Sequence, residues 1–429
     1  MKNSIETSSR HLLTGILAWI SVQGVANAIE PVLEKGDRLA IIGDSITEQK
    51  QYSKFIETYL QVCRPDLDIQ CFQFGWGGER APGFASRMEN DLVPWKPDVV
   101  TTCYGMNDGS YRAYEEAIGK EYENGMRKIL DRMKEANATV VVGTPGVVDS
   151  FTWRREDPPF DEVYNDNLAQ LSAIADRLAK EYGMPHADVF DAMKASMISA
   201  KAVLGEEYHV AGGDGVHPGA NGHLVMAYAF LKGLGMDGDL GSIHVDLASG
   251  KAHGAGGHKI LGSQDGTIEV ESTRYPFCFF GKDKDPNSTR SILPFVSFNQ
   301  DLNRFTLKAD HLSTAEAEVT FGSETKTFSK EALASGINLA AEFLDNPFSQ
   351  PFSEVQNEVA HKQQFETTMI KGFITNFRHI GSMFEGDAEA ETALLTLRRK
   401  MTDKNDVAHE KVKATVKPVR YSIVITPKA

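Results

Sequence analysis

The sequence predicts an α/β protein: a three-layer α/β/α sandwich built on a parallel sheet, followed by a C-terminal α+β region. From Arg38 to about Leu234, short and almost continuously apolar segments alternate with segments that have helical apolar spacing. Strands that are apolar throughout are typical of a parallel sheet covered by helices on both faces. From about His244 this alternation stops, and several strand-like segments precede two long helical ones.

Length and charge narrow the class of protein. The 429 residues, 41% of them hydrophobic and 24% charged, indicate a soluble globular protein. At ~100–200 residues per domain, two domains are expected, and we place them at 36–237 and 245–429. The formal net charge of −14 argues against a nucleic-acid-binding protein.

The first 28 residues are predicted to be a secretory signal peptide. Lys2 and Arg10 precede the short apolar run 12–20, and an A-x-A cleavage pattern follows at Ala26–Ala28. The alternative, an uncleaved membrane anchor, is disfavoured because the apolar run is shorter than the ~20 residues a membrane span needs. No later stretch is long and apolar enough to cross a bilayer. We therefore expect a secreted or periplasmic protein.

The first predicted strand ends in a turn that carries a serine. Gly43-Asp44-Ser45 breaks the apolar run, and apolar residues from Tyr52 to Leu60 then recur with helical spacing. Ser45 therefore lies between a strand and a helix, at the edge where open α/β sheets bind ligands. A serine there is also consistent with a simple helix N-cap. The five predicted strands are Leu39–Ile42, Ile69–Phe74, Val99–Tyr104, Thr139–Gly143 and Pro185–Val189.

Two further strand ends carry possible hydrogen-bond donors. The glycine-rich segment Gly75–Arg80 follows the second strand, and Gly105–Gly109 follows the third. Parallel strands end at one edge of the sheet, so both turns are expected near Ser45. Such turns expose backbone N–H groups, and Asn107 adds a side-chain amide. Taken singly, each is also consistent with an ordinary turn.

The loop before the last helix of this domain contains an aspartate and a histidine. Asp214 and His217 are three residues apart, with glycine and proline shaping the turn. This spacing can place a carboxylate against one imidazole nitrogen and leave the other free to act as a base. Two alternatives are a plain helix start and a metal site formed with His223. The metal is disfavoured because no further ligand cluster completes such a site.

Together these pieces supply each part of an acyl-transfer site. Ser45 is the predicted nucleophile, His217 the base, and Asp214 the residue that orients the imidazole. The predicted oxyanion donors are the backbone N–H groups of Ser45 and Gly78 and the side-chain amide of Asn107.

In these motifs the chain resembles the SGNH, or GDSL-type, hydrolase family. The resemblance rests on Gly43–Ser45, Gly78, Gly105–Asp108 and Asp214–Pro218, in the family's order and spacing, and covers roughly 36–237. It implies a flavodoxin-like five-stranded parallel sheet and ester hydrolysis without a metal or organic cofactor.

Two positions depart from the family pattern. Ile46 replaces the leucine of the GDSL motif, a conservative apolar change. Gln73 stands where an asparagine is frequent, so the hydrogen bonding of the second block is expected to differ.

The favoured function is a secreted or periplasmic esterase acting on small-molecule or polysaccharide esters, above all acetyl esters of carbohydrate. Trp76 and Tyr104, with Tyr111 and Trp153, are candidates for stacking on sugar rings, and ordinary packing is the alternative for each. One alternative function is a lipase, thioesterase or lysophospholipase acting on long acyl chains. Another is a glycan-binding protein that keeps the fold without catalysis.

The C-terminal half shows no catalytic constellation and is predicted to be an accessory region. A long helix is expected from Ser353, because Ser353 and Gln356 match a capping box, and a charged helix from Ala388 to Lys413. Gly250–His258 is predicted to be a flexible connector with exposed histidines. The predicted strands are Thr267–Arg274, Ile292–Phe298, Arg304–Lys308, Glu316–Phe321 and Val419–Thr426.

The four cysteines have no metal-like spacing. Cys71 and Cys103 lie in strand-like runs, so buried free thiols are expected. A disulfide between Cys63 and Cys71 is left open by the sequence. The fourth cysteine is Cys278.

Overall fold

The structure, a computed structural model, describes residues 31–149, 151 and 160–428. The predicted signal peptide and Trp153 lie outside the described residues. The first half contains a parallel sheet in the order β2-β1-β3-β4-β5, as the sequence predicts. Its strands are β1 (Arg38–Gly43), β2 (Gln70–Gln73), β3 (Val99–Cys103), β4 (Thr139–Gly143) and β5 (His186–Ala187).

Helices cover both faces of this sheet. Successive residues of a strand point to opposite faces, and here both sets of side chains are mostly apolar and buried. Leu39 and Ile41 of β1 belong to one buried cluster, and Ala40 and Ile42 belong to the other. The helices are α1 (Ser45–Glu48), α2 (Tyr52–Val62), α3 (Ala81–Asp91), α4 (Glu116–Glu135), α5 (Phe160–Tyr182), α6 (Val189–Leu204) and α7 (Ala220–Gly233). Helices α2 and α7 pack on the first side and α3 and α4 on the second, which confirms the three-layer sandwich.

The C-terminal half contains two further sheets. One has the order β13-β10-β6-β7, and the other has the order β12-β11-β14-β9-β8. Phe305 of the first packs against Phe321 of the second, with ring centroids 6.3 Å apart. The strands are β6 (Asp239–Asp246), β7 (Lys251–Ala255), β8 (His258–Gln264), β9 (Thr267–Ser272), β10 (Arg304–Asp310), β11 (Glu316–Phe321), β12 (Glu324–Ser329), β13 (Ile337–Asn338) and β14 (Val419–Lys428).

A helical segment leaves these sheets after β13 and returns to them at β14. The helices of this half are α8 (Phe298–Asp301), α9 (Lys330–Ser335), α10 (Leu339–Glu342), α11 (Ser349–Gly372), α12 (Phe377–Met383) and α13 (Ala388–Thr415). Helix α11 packs on α2 and on β2, the edge strand of the parallel sheet, and α13 packs on α11. One hydrophobic cluster contains residues of both halves, including Phe230 and Phe298. The domain boundaries at 36–237 and 245–429 stay a prediction.

Three predictions for the C-terminal half are wrong. The segment Ile292–Phe298 is not a strand: residues Arg290–Phe295 form a 3₁₀ helix, and Pro294 within it has no N–H for a strand ladder. Helix α11 begins at Ser349 rather than Ser353, so the capping-box match lies inside the helix. The expected connector Gly250–His258 instead contains strand β7 and the first residue of β8, which belong to different sheets.

His258, the first residue of β8, is buried, whereas exposed histidines were expected in this segment. His253 is exposed, as expected. The Nδ1 of His258 lies 2.7 Å from Ser272 Oγ and its Nε2 lies 2.8 Å from the Leu240 carbonyl oxygen. Its ring stacks on Phe305 with centroids 4.2 Å apart. Burial lowers the pKa of His258 to about 4. Partners on both ring nitrogens allow a neutral histidine to occupy this core position.

All four cysteines are buried free thiols, so the Cys63–Cys71 disulfide is not formed. The expectation of buried thiols at Cys71 and Cys103 is confirmed. Among the helices of the described residues, none is long and apolar enough to span a membrane.

A buried ion cluster joins α11 to the edge of the parallel sheet. Lys362 Nζ lies 2.9 Å from Glu57 Oε1 and 2.7 Å from Glu366 Oε1, and all three side chains are fully buried. Lys362 Nζ also donates to the Cys71 carbonyl oxygen of β2 at 2.7 Å. Burial alone would lower the pKa of Lys362, but the two carboxylates outweigh it and raise that pKa. The cluster depends on its one cation.

We expect Lys362→Met to destabilise the protein by about 3–5 kcal/mol, because it leaves two buried carboxyl groups and a strand carbonyl without their donor. The measurement is urea unfolding at neutral pH. The matched control is Lys411→Met, which removes an exposed lysine of α13 that lies 2.8 Å from Glu358 of α11, and it should cost no more than about 1 kcal/mol. Equal losses in the two variants would contradict the prediction.

Candidate active site

The site is built on the turn between β1 and α1. A Cβ at Gly43 would overlap Thr47 Oγ1 and lie 2.8 Å from the Cys103 carbonyl oxygen, so only glycine allows this close approach. Asp44 is the N-cap of α1, and its Oδ1 accepts the N–H of Ile46 at 2.9 Å. The alternative of Ser45 as the N-cap is therefore wrong. Ser45 is the first helical residue, and its hydroxyl is left for other contacts.

Ser45, His217 and Asp214 form one hydrogen-bonded series. Ser45 Oγ lies 2.9 Å from His217 Nε2, and His217 Nδ1 lies 2.7 Å from Asp214 Oδ2. The residues that the sequence predicts as nucleophile, base and orienting carboxylate are thus in contact, although 172 positions separate the serine from the histidine. One imidazole nitrogen faces the carboxylate and the other faces the hydroxyl.

Hydrogen bonds within the loop and a glycine at positive φ hold His217 in position. Asp214 Oδ1 accepts the N–H groups of Val216 at 2.9 Å and of His217 at 2.8 Å. A Cβ at Gly212, where φ is +90°, would overlap the His217 carbonyl oxygen. Burial alone would raise the pKa of Asp214, but the hydrogen bonds from His217 and Val216 outweigh it and hold that pKa below its ordinary range. Asp214 is therefore an ionised partner for the imidazole.

His223, the third residue of the metal alternative, is bound elsewhere. Its Nδ1 accepts the N–H of Tyr52 at 3.3 Å and its Nε2 lies 2.8 Å from Gln49 Oε1. Burial lowers the pKa of His223 to about 3. Over the described part of the chain, no three His, Cys, Asp or Glu side chains are arranged to hold a metal ion. His223 supports the start of α2 instead.

Three candidate oxyanion donors lie on neighbouring turns. Within the described ranges, the backbone N–H groups of Ser45 and Gly78 have no acceptor, and Gly78 has φ +73°. Asn107 donates from Nδ2 to the Glu79 carbonyl oxygen at 3.1 Å, which leaves its second amide hydrogen for another acceptor. Strands β1 and β3 are adjacent while β2 lies outside β1, so these turns meet where the strand order reverses.

Buried charges that sequence reasoning missed hold two of these turns. Asp108 accepts the N–H groups of Ala81 at 2.9 Å and of Gly105 at 3.0 Å, joining the turns after β2 and β3. Arg87 donates to Glu79 at 2.6 and 2.8 Å. Burial raises the pKa of Asp108 to about 7. Asp108 belongs to the Gly105–Asp108 block, but sequence spacing gave no sign of these long-range partners.

The aromatic residues predicted to contact substrate lie in different environments. Tyr104 is fully buried and donates to Glu79 Oε2 at 2.9 Å, so a stacking role for Tyr104 is wrong. Trp76 is half-buried, with the Arg87 guanidinium 4.9 Å and the Lys371 ammonium 4.7 Å from its ring centroid. Tyr111 is half-buried and its hydroxyl donates to Asn107 Oδ1 at 3.2 Å. For Trp76 a substrate contact stays a prediction.

Gln73, which stands where the family pattern often has an asparagine, binds α1, the short helix that begins at Ser45. Its Nε2 donates to the Thr47 carbonyl oxygen at 2.5 Å, and its backbone N–H donates to Glu366 Oε2 at 3.1 Å. This residue therefore joins α1 to the C-terminal helix α11.

The part of the chain that holds these residues is similar in sequence to known proteins. Residues 41–225 match the model of the GDSL-like Lipase/Acylhydrolase family. An acetylxylan esterase of Geobacillus stearothermophilus is 26% identical over 225 residues, which cover 47% of this chain and 95% of that protein.

A solved structure is similar over both halves of the chain. It is that of a gut microbial diltiazem-metabolizing enzyme, with a TM-score of 0.72 and 23% identity, covering 94% of this chain and 99% of that one. At this identity the similarity shows the shared fold. The family model confirms the resemblance that the four sequence blocks predict. The chain is an ester-bond hydrolase, and its residues 41–225 resemble the GDSL-like lipase/acylhydrolase family.

Proposed function

We propose that this protein is a secreted or periplasmic serine esterase that removes acetyl groups from carbohydrate. The observation that carries the proposal is the hydrogen-bonded series from Ser45 Oγ through His217 to Asp214, with distances of 2.9 and 2.7 Å. A hydroxyl, an imidazole and a carboxylate in this order are the parts of a nucleophilic acyl-transfer site.

In the first half of the reaction, Ser45 Oγ attacks the ester carbonyl carbon and its proton passes to His217 Nε2. The ionised Asp214 stabilises the imidazolium that forms. The carbonyl oxygen becomes an oxyanion, whose binding we assign to the N–H groups of Ser45 and Gly78 and the amide of Asn107. Each such donor is typically worth ~2.7–4 kcal/mol of transition-state stabilisation.

The intermediate then collapses as its bond to the alcohol oxygen breaks. His217 returns the proton to the leaving alkoxide, and an acyl-Ser45 ester remains. Water attacks this ester with His217 again taking the proton, and the acid is released as Ser45 is restored.

Three observations support the choice of acetylated carbohydrate. The relative that matches nearly over its whole length is named an acetylxylan esterase. The N-terminal pattern of Lys2, Arg10, the apolar run 12–20 and Ala26–Ala28 favours export, and acetylated polysaccharides are extracellular polymers. The half-buried Trp76 beside the turn of Gly78 is a candidate contact for a sugar ring.

A second candidate is hydrolysis of longer acyl esters. Phe373, Ile380, Met383 and Phe384 are exposed apolar side chains just beyond the end of α11. Lys371, two residues before Phe373, contacts Glu48 of the nucleophile helix. Exposed apolar side chains that follow Lys371 along the chain would suit a lipid-like substrate.

We expect the protein to release acetate from acetylated xylan or xylo-oligosaccharides and to prefer acetyl over octanoyl nitrophenyl esters. Ser45→Ala should abolish both activities without loss of stability, because Asp44 rather than Ser45 caps α1. The measurements are acetate release, a chain-length series of esters and thermal unfolding. A preference for octanoyl esters would favour the second candidate, and turnover by a folded Ser45→Ala protein would exclude the serine mechanism.

We expect kcat/KM to fall in acid, because the general base must be unprotonated to accept the Ser45 proton. Asp214 keeps its charge at neutral pH, since its pKa is held below the ordinary carboxyl range. Asp214→Asn should lower kcat by about 100- to 10,000-fold, yet less completely than Ser45→Ala, because the oxyanion donors remain. A pH profile for the chemical step that does not fall in acid would contradict the role of His217.

A further inference from the structure

The loop that carries the Gly78 donor is held from one side by the nucleophile helix. The N–H of Gly77 donates to Glu48 Oε2 at 2.5 Å. A Cβ at Gly77 would lie 2.8 Å from the same oxygen, and one at Gly75 would overlap the Glu48 backbone nitrogen. The next N–H after Gly77 is the Gly78 donor. Fixing the Gly77 N–H on Glu48 therefore orients the peptide that precedes the donor.

Glu48 is itself held from the C-terminal half. Its second oxygen, Oε1, accepts from Lys371 Nζ at 2.5 Å. Both side chains are partly buried, at 26% and 29% exposure. Lys371 Nζ also lies 4.7 Å from the centroid of the Trp76 ring, one residue before Gly77. The Lys371 ammonium thus contacts both Glu48 of α1 and Trp76, which precedes the glycine turn.

The position of Lys371 is set by the docking of α11 on strand β2. Lys362 donates to the Cys71 carbonyl oxygen, and Glu366 accepts the Gln73 N–H. Three side chains along α11 therefore bind the parallel-sheet domain: Lys362 binds Cys71, Glu366 binds Gln73, and Lys371 binds Glu48. The free edge of β2, which would otherwise expose unpaired backbone groups, is covered by side chains of this helix. Lys362 and Glu366 precede Lys371 in the C-terminal half of α11, so their contacts with β2 set where Lys371 lies.

We propose that Lys371 is a positioning residue for ester hydrolysis, which holds the oxyanion turn at Gly77–Gly78 through Glu48. The proposal rests on the proposed esterase function and gives the C-terminal helical segment a role in it. Lys371 touches neither Ser45 nor the oxyanion donors. It acts by restraining Glu48, and Glu48 restrains the turn.

The test compares Lys371→Met with wild type on nitrophenyl acetate. Misplacing a catalytic group by about 1 Å can cost about 100-fold in rate, so kcat should fall by about 10- to 100-fold while KM stays unchanged. Lys371→Arg should retain most of the activity, because a guanidinium can also pair with the Glu48 carboxylate. The control Lys411→Met, which removes an exposed lysine on the neighbouring helix α13, should leave kcat unchanged.

A double-mutant cycle tests the route through Glu48. Glu48→Gln should lower kcat, and adding Lys371→Met to it should lower kcat little further, because both changes break the same link. Additive losses would overturn the proposal, as would a wild-type kcat in Lys371→Met or an Arg variant as slow as the Met variant. If Lys371→Met fails to fold, Glu48→Gln decides: a lower kcat at unchanged KM supports the proposal, and a wild-type kcat overturns it.

Failure of this proposal can be told apart from failure of the proposed function. Full activity in Ser45→Ala would overturn the esterase mechanism itself. An inactive Ser45→Ala protein beside a fully active Lys371→Met protein would overturn the role of Lys371 alone.

Discussion

The close approach of β1, α1 and β3 at Gly43 is the constraint on which the site depends. Gly43 lies against Thr47 and the Cys103 carbonyl oxygen with no space for a side chain. Asp44 caps the short helix from within the turn, so the hydroxyl of Ser45 does not have to. The same contact brings the end of β3, and with it the turn of Asn107, beside the serine. Any residue larger than glycine would move Ser45 away from both His217 and the predicted donors.

The C-terminal half contributes to this arrangement through the outer edge of the sheet. Strand β2 has β1 on one side and α11 on the other, and α11 satisfies its backbone groups with Lys362 and Glu366. Buried charges are costly unless they are paired, and here the pairing of Lys362 with Glu57 couples two parts of the chain that lie about 300 positions apart. After α13 the chain returns to the C-terminal sheets as β14, the central strand of a five-stranded sheet. The accessory half is thus anchored at both ends of its helical segment.

Local patterns in the sequence were enough to predict the sheet and the central residues of the site. Three blocks at strand ends predicted that the turns of Ser45, Gly78 and Asn107 meet, because parallel strands share one edge. The spacing of Asp214 and His217, in the loop before the last helix of the domain, predicted the base and its carboxylate partner. The predictions that were wrong concern side chains whose burial depends on partners far away in the sequence. Tyr104 follows an apolar strand like a surface aromatic, yet Glu79 holds its hydroxyl in the core. His258 lies in a glycine-rich segment typical of a connector, yet Ser272 and Leu240 satisfy its ring.

The most direct measurement of the central claim is covalent labelling by a fluorophosphonate, which reacts with nucleophilic serines, followed by mass spectrometric mapping of the adduct. The account predicts one adduct per chain, on Ser45, and much slower labelling in His217→Ala, because the hydroxyl then lacks its base. An unlabelled Ser45 in protein that hydrolyses acetyl esters would contradict it, and so would equal labelling without His217.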